Sequence, residues 1–262
     1  MPNPVLSIIT VCFNSRDALL ATMDNVLLQT WTRFEYLVID GGSSDGTWSL
    51  LEQSSSRFDQ THIPYRYVSE PDQGIYDAMN KGTRLSEGTW LLFLNAGDLL
   101  AEPHILEQIF SESPCGSVIY GDTLCVYQGR RKLYPALPLS HLSHEMAFCH
   151  QSALIRRSLL LEHPYDTSYK ICADHHFFLS VYLLKEKFDY RPLPISVYEI
   201  SGYSDQNKLA AHREQHRMQR ELHIFHPTFS WLLREGVFYS KQLLKSMGGQ
   251  RLIDLIRKRR LQ

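Results

Sequence analysis

Asp98 ends the run Phe93-Leu94-Asn95-Ala96-Gly97-Asp98, and its position gives it a chemical meaning. Trp90–Leu94 has the unbroken apolar text of a strand buried on both faces, and ligands of open α/β sheets gather beyond the carboxyl ends of such strands. A carboxylate there can hold a divalent cation or stand among phosphates. On its own it would read more simply as a cap for a helix starting near Pro103. Three earlier strand ends finish in the same polar or glycine-rich manner, and that company favours a ligand.

The first of these is Thr10-Val11-Cys12-Phe13-Asn14. It lacks G-x-G-x-x-G and G-x-x-x-x-G-K-[ST], which occur nowhere in the chain, so a nucleotide would be met by backbone and side chains at strand ends. Phe13 could pack on a base or belong to the core, and Asn14-Ser15 could cap the next helix. The second end, Asp40-Gly41-Gly42-Ser43-Ser44-Asp45-Gly46-Thr47, pairs an acid with glycines that admit close backbone approach. Asp40 can accept from a uracil imide or a ribose hydroxyl; Asp45 and Thr47 read as turn and N-cap residues. After the third, Ser69–Gly74, the helical text Ile75–Ser86 sets Asp77 four residues from Lys81, as in a surface ion pair. Asn80 serves packing or substrate.

These ends are positioned by strand-helix alternation. Val5–Cys12, Phe34–Asp40, Tyr65–Ser69 and Trp90–Asn95 read as strands, with helices at Asp17–Gln29, Thr47–Phe58 and Ile75–Ser86 between them. A parallel sheet flanked by helices follows. Beyond Asp122 the regularity falls away: a hairpin around Gln128-Gly129, a loop region over Pro135–His150, a strand at Ser152–Ile155, a helix at Ala173–Leu184, and strands at Phe188–Pro192 and Ile195–Ile200. The expected division is a catalytic domain over 1–206, with a nucleotide half 1–122 and an acceptor half 123–206, followed by a tail over 207–262.

Charge supports that division. Residues 1–207 hold 15 Lys and Arg against 24 Asp and Glu, whereas 208–262 hold 12 against 4. The tail mixes Trp231, Leu232, Leu233, Val237, Phe238 and Tyr239 with Arg234, Lys241 and Lys245, and ends in Arg257-Lys258-Arg259-Arg260. Such a basic amphipathic helical segment suits an anionic membrane surface or packing on the body with solvated cations. No positive segment leads into a long apolar run, and no eighteen-residue apolar window occurs, so a cytoplasmic protein is expected, peripheral at the inner membrane face if the tail engages lipid. Five cysteines without a C-x-x-C read as small, buried, reduced thiols. His141, His144 and His150 lack the company of a zinc site, and Asp174-His175-His176 lacks the further acidic motifs of a metal phosphoesterase.

Taken together, S-I-I-T-V-C-F-N, D-G-G-S-S-D-G-T, E-P-D-Q-G-I-Y-D-A-M-N-K-G and E-G-T-W-L-L-F-L-N-A-G-D resemble the family 2 glycosyltransferases of GT-A architecture, strongly over about residues 5–100 and more weakly to about 205. Within that family the chain looks most like enzymes that build bacterial exopolysaccharide or capsule. The resemblance implies an α/β GT-A fold and an inverting transfer of sugar from a nucleoside diphosphate donor, UDP-linked by preference or GDP-linked, to a glycan or lipid-linked acceptor. It implies donor contacts at Val11, Phe13, Asp40, Asn80 and Asn95, with Mg²⁺ or Mn²⁺ on Asp98. Where the family has D-A-D-D, this chain has Asn95 and Gly97, so Asp98 is the one strong ligand left. The resemblance also implies that Asp174 takes the acceptor proton, as an inverting displacement requires, although a first-turn helix acid would look the same. His150, Gln151 and His175 fall on the acceptor side, and Ile200–Ser204 resembles the loop that closes over the donor. No nucleic acid is expected as a partner. A sugar-nucleotide-binding protein without turnover, and a sugar-phosphate nucleotidyltransferase, are the alternative readings; the latter would need a glycine-rich basic loop over Val11–Arg16.

Overall fold

The computed structural model describes residues 5–127, 129–199, 207–225, 236–237 and 239–240. By its internal contacts the chain divides into Met1–Met218 and Gln219–Gln262, and the first unit carries the sheet. Its first half runs β1 (Leu6–Cys12), α1 (Arg16–Leu27), β2 (Phe34–Asp40), α2 (Thr47–Asp59), β3 (Tyr65–Ser69), α3 (Ile75–Leu85) and β4 (Trp90–Phe93). The strands pair in the order β3-β2-β1-β4, all parallel. The chain therefore steps outward from β1 to β3 and returns to lay β4 on the other side of β1. That reversal leaves a crevice beyond the carboxyl ends of β1 and β4. Every residue of β1, β2 and β4 is buried, which is why these strands read as unbroken runs. Each fully buried Leu or Ile among them contributes about 1.5–3 kcal/mol.

The second half adds β5 (Leu99–Leu100), α4 (Ile105–Phe110), β6 (Val118–Tyr127), β7 (Arg130–Tyr134), β8 (Ala153–Arg156), α5 (Arg157–Glu162), α6 (Ala173–Leu183), β9 (Phe188–Glu199) and α7 (Lys208–Glu221). The sheet continues β4-β8-β6-β9-β5, with β7 on β6. β8 lies antiparallel to both β4 and β6, so the sheet is parallel in its first half and mixed beyond. The expected hairpin is the β6–β7 pair. The two strands expected at Phe188–Pro192 and Ile195–Ile200 are one strand up to Glu199, with a register shift against β6 between Gly121 and Thr123. Pro192 and Pro194 cannot donate to the ladder, so it is displaced there without ending. The expected loop Ile200–Ser204 lies outside the described residues, as do most of the tail residues named above.

Two polar details depart from expectation. Lys81 pairs with Glu70 at 2.7 Å, not with Asp77; Asp77 instead accepts from Gln73 N at 3.0 Å, where the first turn of α3 has N–H groups to satisfy. All five cysteines are free thiols, but only Cys12 and Cys125 are buried; Cys149 and Cys172 are half-buried and Cys115 is exposed. Glu35, buried within β2, accepts from Ser7 Oγ at 2.6 Å, Glu87 N at 2.5 Å and Arg66 Nη2 at 2.6 Å. Burial opposes its ionisation, yet these hydrogen bonds hold its carboxyl below the usual range. Among the described residues no helix is long and apolar enough to cross a membrane.

Candidate functional site

At the ends of β1 and β2 the backbone is closed into a small network. Gly41 N donates to Cys12 O at 2.9 Å, and Asn14, at φ +46°, donates its N–H to Ser43 Oγ at 2.7 Å and accepts from Ser44 N at 2.9 Å. Asn tolerates that left-handed conformation better than most residues. Asp45 accepts from Arg16 N and from both Thr47 N and Thr47 Oγ1, so it ties the start of α1 to that of α2. Asp40 is fully enclosed. Its carboxylate receives Ser43 N at 3.0 Å, Ser43 Oγ, Ser69 Oγ at 2.5 Å and Cys12 Sγ at 3.6 Å. Phe13 is the opposite case, 63% exposed. A side chain at Gly41 would meet Asp72 Oδ2 at 2.6 Å and the Phe13 ring at 3.3 Å, so only glycine lets that carboxylate and that ring share the surface. The structure thus brings an open aromatic face, a half-buried acid and bare backbone together.

The β4 end lies against α1. Val11 is buried and its carbonyl accepts Ala96 N at 3.2 Å. Gly97, at φ +98°, donates its N–H to Thr22 Oγ1 at 2.9 Å, and the same hydroxyl donates to Asp98 O at 3.0 Å. The turn so held presents Asp98, whose Oδ2 accepts Asn95 N at 3.1 Å and Gln151 Nε2 at 2.9 Å. Burial pushes the Asp98 carboxyl up to about 6, against the pull of those donors. Asn95 Oδ1 is buried without a hydrogen-bond partner among the described residues. An acceptor with nothing to accept, beside a buried carboxylate, suits a hard cation that takes oxygen ligands. The Asn95 and Asp98 side chains therefore fit Mg²⁺ or Mn²⁺, which together they could hold only in part.

Asp174 stands in the first turn of α6. Its Oδ1 accepts from Tyr76 OH at 2.9 Å and from His175 N at 2.8 Å, while Oδ2 faces His150 Nδ1 at 3.9 Å, beyond hydrogen-bond reach. Its side chain keeps 20% exposure, and both of those hydrogen bonds fall on Oδ1. His150 is buried with Nε2 at 2.9 Å from Tyr165 OH, and burial lowers its pKa, keeping the ring neutral. Asn80 spends both ends of its amide on Tyr165, donating to its carbonyl at 2.8 Å and accepting its N–H at 3.0 Å. Gln151, read from sequence as acceptor-side, reaches the Asp98 carboxylate. His175 is buried with Nε2 at 2.7 Å from Leu142 O; a carbonyl only accepts, so Nε2 carries the proton.

Sequence reasoning passed over Tyr76, Tyr165 and Thr22. A signal for Tyr76 existed: it precedes Asn80 by four residues, so both face the same way on α3. Tyr165 and Thr22 act through long-range contacts that no local spacing encodes.

A sheet whose parallel half reverses at β1/β4, with acids at the end of β2 and just beyond β4, is the GT-A fold of nucleotide-sugar transferases. Residues 7–161 match the family model described as Glycosyl transferase family 2, and the chain belongs to that family as a glycosyltransferase. It is similar to the PGL/p-HBAD biosynthesis glycosyltransferase of Mycobacterium bovis (strain BCG / Pasteur 1173P2), 34% identical over 181 residues, which are 68% of this chain and 69% of the relative. Among solved structures it is similar in fold to the mannosyltransferase PcManGT from Pyrobaculum calidifontis in complex with GDP-Man and Mn²⁺, with TM-score 0.63, 18% identity, and 86% of this chain and 66% of that one covered. A second is S. aureus TarS 1-349 in complex with UDP-GlcNAc, with TM-score 0.62, 16% identity, and 77% and 60% covered.

Proposed function

We propose that this chain is an inverting, divalent-metal-assisted glycosyltransferase that moves a sugar from a UDP- or GDP-linked donor to a glycan or lipid-linked acceptor in cell-surface polysaccharide synthesis. The observation that carries the reading is the meeting of two carboxylates on consecutive residues, Asp98 with Gln151 and Asp174 with His150. Asp98 is buried in the same turn as the orphaned Asn95 oxygen, and Asp174 is braced through Oδ1 with its side chain part-exposed. The donor half is 1–122 and the acceptor half 123–206. Neighbours of this fold that hold GDP-Man and UDP-GlcNAc support a nucleotide-sugar donor.

In this reading Phe13 packs on the base, with the backbone near Val11 and Gly41 close by. Asp72 and the Asp40 network frame the base and ribose. A cation on Asp98 and Asn95 would offset charge developing on the leaving diphosphate. Gln151 fixes the Asp98 carboxylate, and Asn80, through Tyr165, holds His150. Asp174 Oδ2 accepts the acceptor hydroxyl proton as that oxygen forms its bond to the anomeric carbon and the carbon–diphosphate bond breaks on the opposite face. Tyr76 keeps Asp174 turned to that task.

The test is turnover of UDP- and GDP-sugars with and without Mn²⁺, in the wild type and in Asp98→Asn. The expected result is metal-stimulated turnover that the variant loses while its melting temperature holds. Equal rates and equal Mn²⁺ dependence in both proteins would remove Asp98 from the metal site.

A further inference from the structure

Beyond the span matched by the family, α7 carries a carboxylate with an unusual set of partners. Glu214 Oε1 accepts Lys170 N at 2.8 Å, and its Oε2 accepts both Ile171 N and Cys172 N at 2.9 Å. Three successive backbone N–H groups converging on one anion form a cradle of the kind that otherwise binds phosphate or carboxylate ligands. The cradle adjoins the N-terminus of α6, where Cys172, in the N-cap position, makes no side-chain capping bond. Glu214 thus supplies from a distant helix the negative charge that a helix N-terminus favours. Other residues of α7 act on the same stretch of chain. Ala211 O accepts from Cys172 Sγ at 3.5 Å, and Arg217 donates to Ser168 Oγ at 2.8 Å and lies 4.3 Å from the Tyr169 ring centroid. Residues 211 and 214 grip 170–172, whereas Arg217 reaches the chain only at 168 and 169, outside the cradle.

What this grip holds is the approach to Asp174. Tyr76 OH lies 2.7 Å from Ile171 O and 2.9 Å from Asp174 Oδ1. A hydroxyl has one proton to give, so these two acceptors compete for it. The position of the Ile171 carbonyl therefore sets both where the α6 first turn begins and how firmly Tyr76 braces Asp174. Cys172 N, in the same planar peptide group as that carbonyl, is bonded to Glu214, so the carboxylate of α7 governs that position.

We propose that Glu214 is a positioning residue for glycosyl transfer, holding residues 170–172 so that Asp174 meets the acceptor hydroxyl in productive geometry. The proposal rests on the reading of Asp174 as the base. Its rival is that Glu214 merely fastens α7 to the body.

The full-length protein and the variants Glu214→Gln, Asp174→Asn, the double variant and Arg217→Ala are compared for transfer kcat, donor Kd and melting temperature. Misplacing a reacting group by a fraction of an ångström to 1 Å costs on the order of 10–100-fold. Glu214→Gln should lower kcat by that factor with donor Kd unchanged, and should add nothing in the Asp174→Asn background, since both changes act on one step. Arg217→Ala, which loosens α7 without touching the cradle, should lower the melting temperature and leave kcat near wild type. Wild-type kcat in Glu214→Gln, a loss that multiplies with Asp174→Asn, or the same kcat loss in Arg217→Ala would overturn the proposal. Near-wild-type transfer by Asp174→Asn alone would instead locate the failure in the assignment of the base, and the proposal would fall with it.

Discussion

At the scale of single residues, the same side-chain type does opposite work in this protein according to what encloses it. Asp40 and Asp174 both looked like functional acids in the sequence. Asp40 is enclosed by Ser43, Ser69 and Cys12, whereas Asp174 keeps part of its side chain exposed. Asp174→Asn preserves shape and can still accept from Tyr76, yet it cannot take the acceptor's proton. Transfer kcat should fall by about 10²–10⁴-fold with donor affinity and melting temperature near wild type. Phe13 offers a second test, because its ring is exposed at the strand end and packs on little of its own chain. Phe13→Ala should weaken nucleotide binding by about 10-fold, roughly the value of one lost stacking contact, without lowering the melting temperature; calorimetry showing unchanged UDP affinity would return Phe13 to the surface. The places of Asp98, just past a strand, and of Asp174, in a first helical turn, could be read from the sequence because both stand in recognisable motifs. The enclosure of Asp40 was not, because Ser69 is 29 residues away in sequence.

At the scale of elements, the parallel half could be read almost directly, because β1, β2 and β4 are buried throughout and leave mostly apolar runs, and β2, β3 and β4 each give way to an acid or a glycine turn. The mixed half resisted. β9 reads as two strands because Pro192 and Pro194 interrupt it, and only its pairing with β6 shows one bulged strand. Interior polar contacts set the register of the parallel half, as Glu35 illustrates. Its carboxylate joins β1 through Ser7, the entry to β4 through Glu87 N, and β3 through Arg66. Its folded-state pKa lies below the unfolded value, so the stability it contributes is present above the unfolded pKa of about 4.3 and is lost as pH falls through the lower folded value. Glu35→Gln should therefore cost about 1.5–3 kcal/mol at neutral pH, and the gap between variant and wild type should narrow as the pH is lowered below about 4. Denaturant titrations across pH 3–7 would show a constant gap if Glu35 acts by packing alone.

At the scale of the whole molecule, the charge asymmetry of the sequence sets the remaining question. The first 207 residues are acidic in balance and the rest basic, so the two ends should respond to an anionic bilayer in opposite ways. Each cation near such a surface adds about 1 kcal/mol, and the attraction is screened within about 8 Å at physiological ionic strength. The tail should therefore bind vesicles reversibly, with cosedimentation that rises with the fraction of anionic lipid and falls with added salt. Where the chain is cut matters to that experiment. Removing everything after Asn207 would also remove Glu214 and the buried Met218 from the compact unit, so lost transfer could not be assigned to lost membrane contact. Deleting residues 226–262 spares both and removes most of the basic side chains. That truncated protein should keep donor turnover toward a soluble acceptor while its vesicle cosedimentation drops to the level of neutral lipid. Binding that survives the deletion, or that ignores salt, would place any membrane contact on the catalytic body, and binding by neither protein would leave the cations of the tail to solvent.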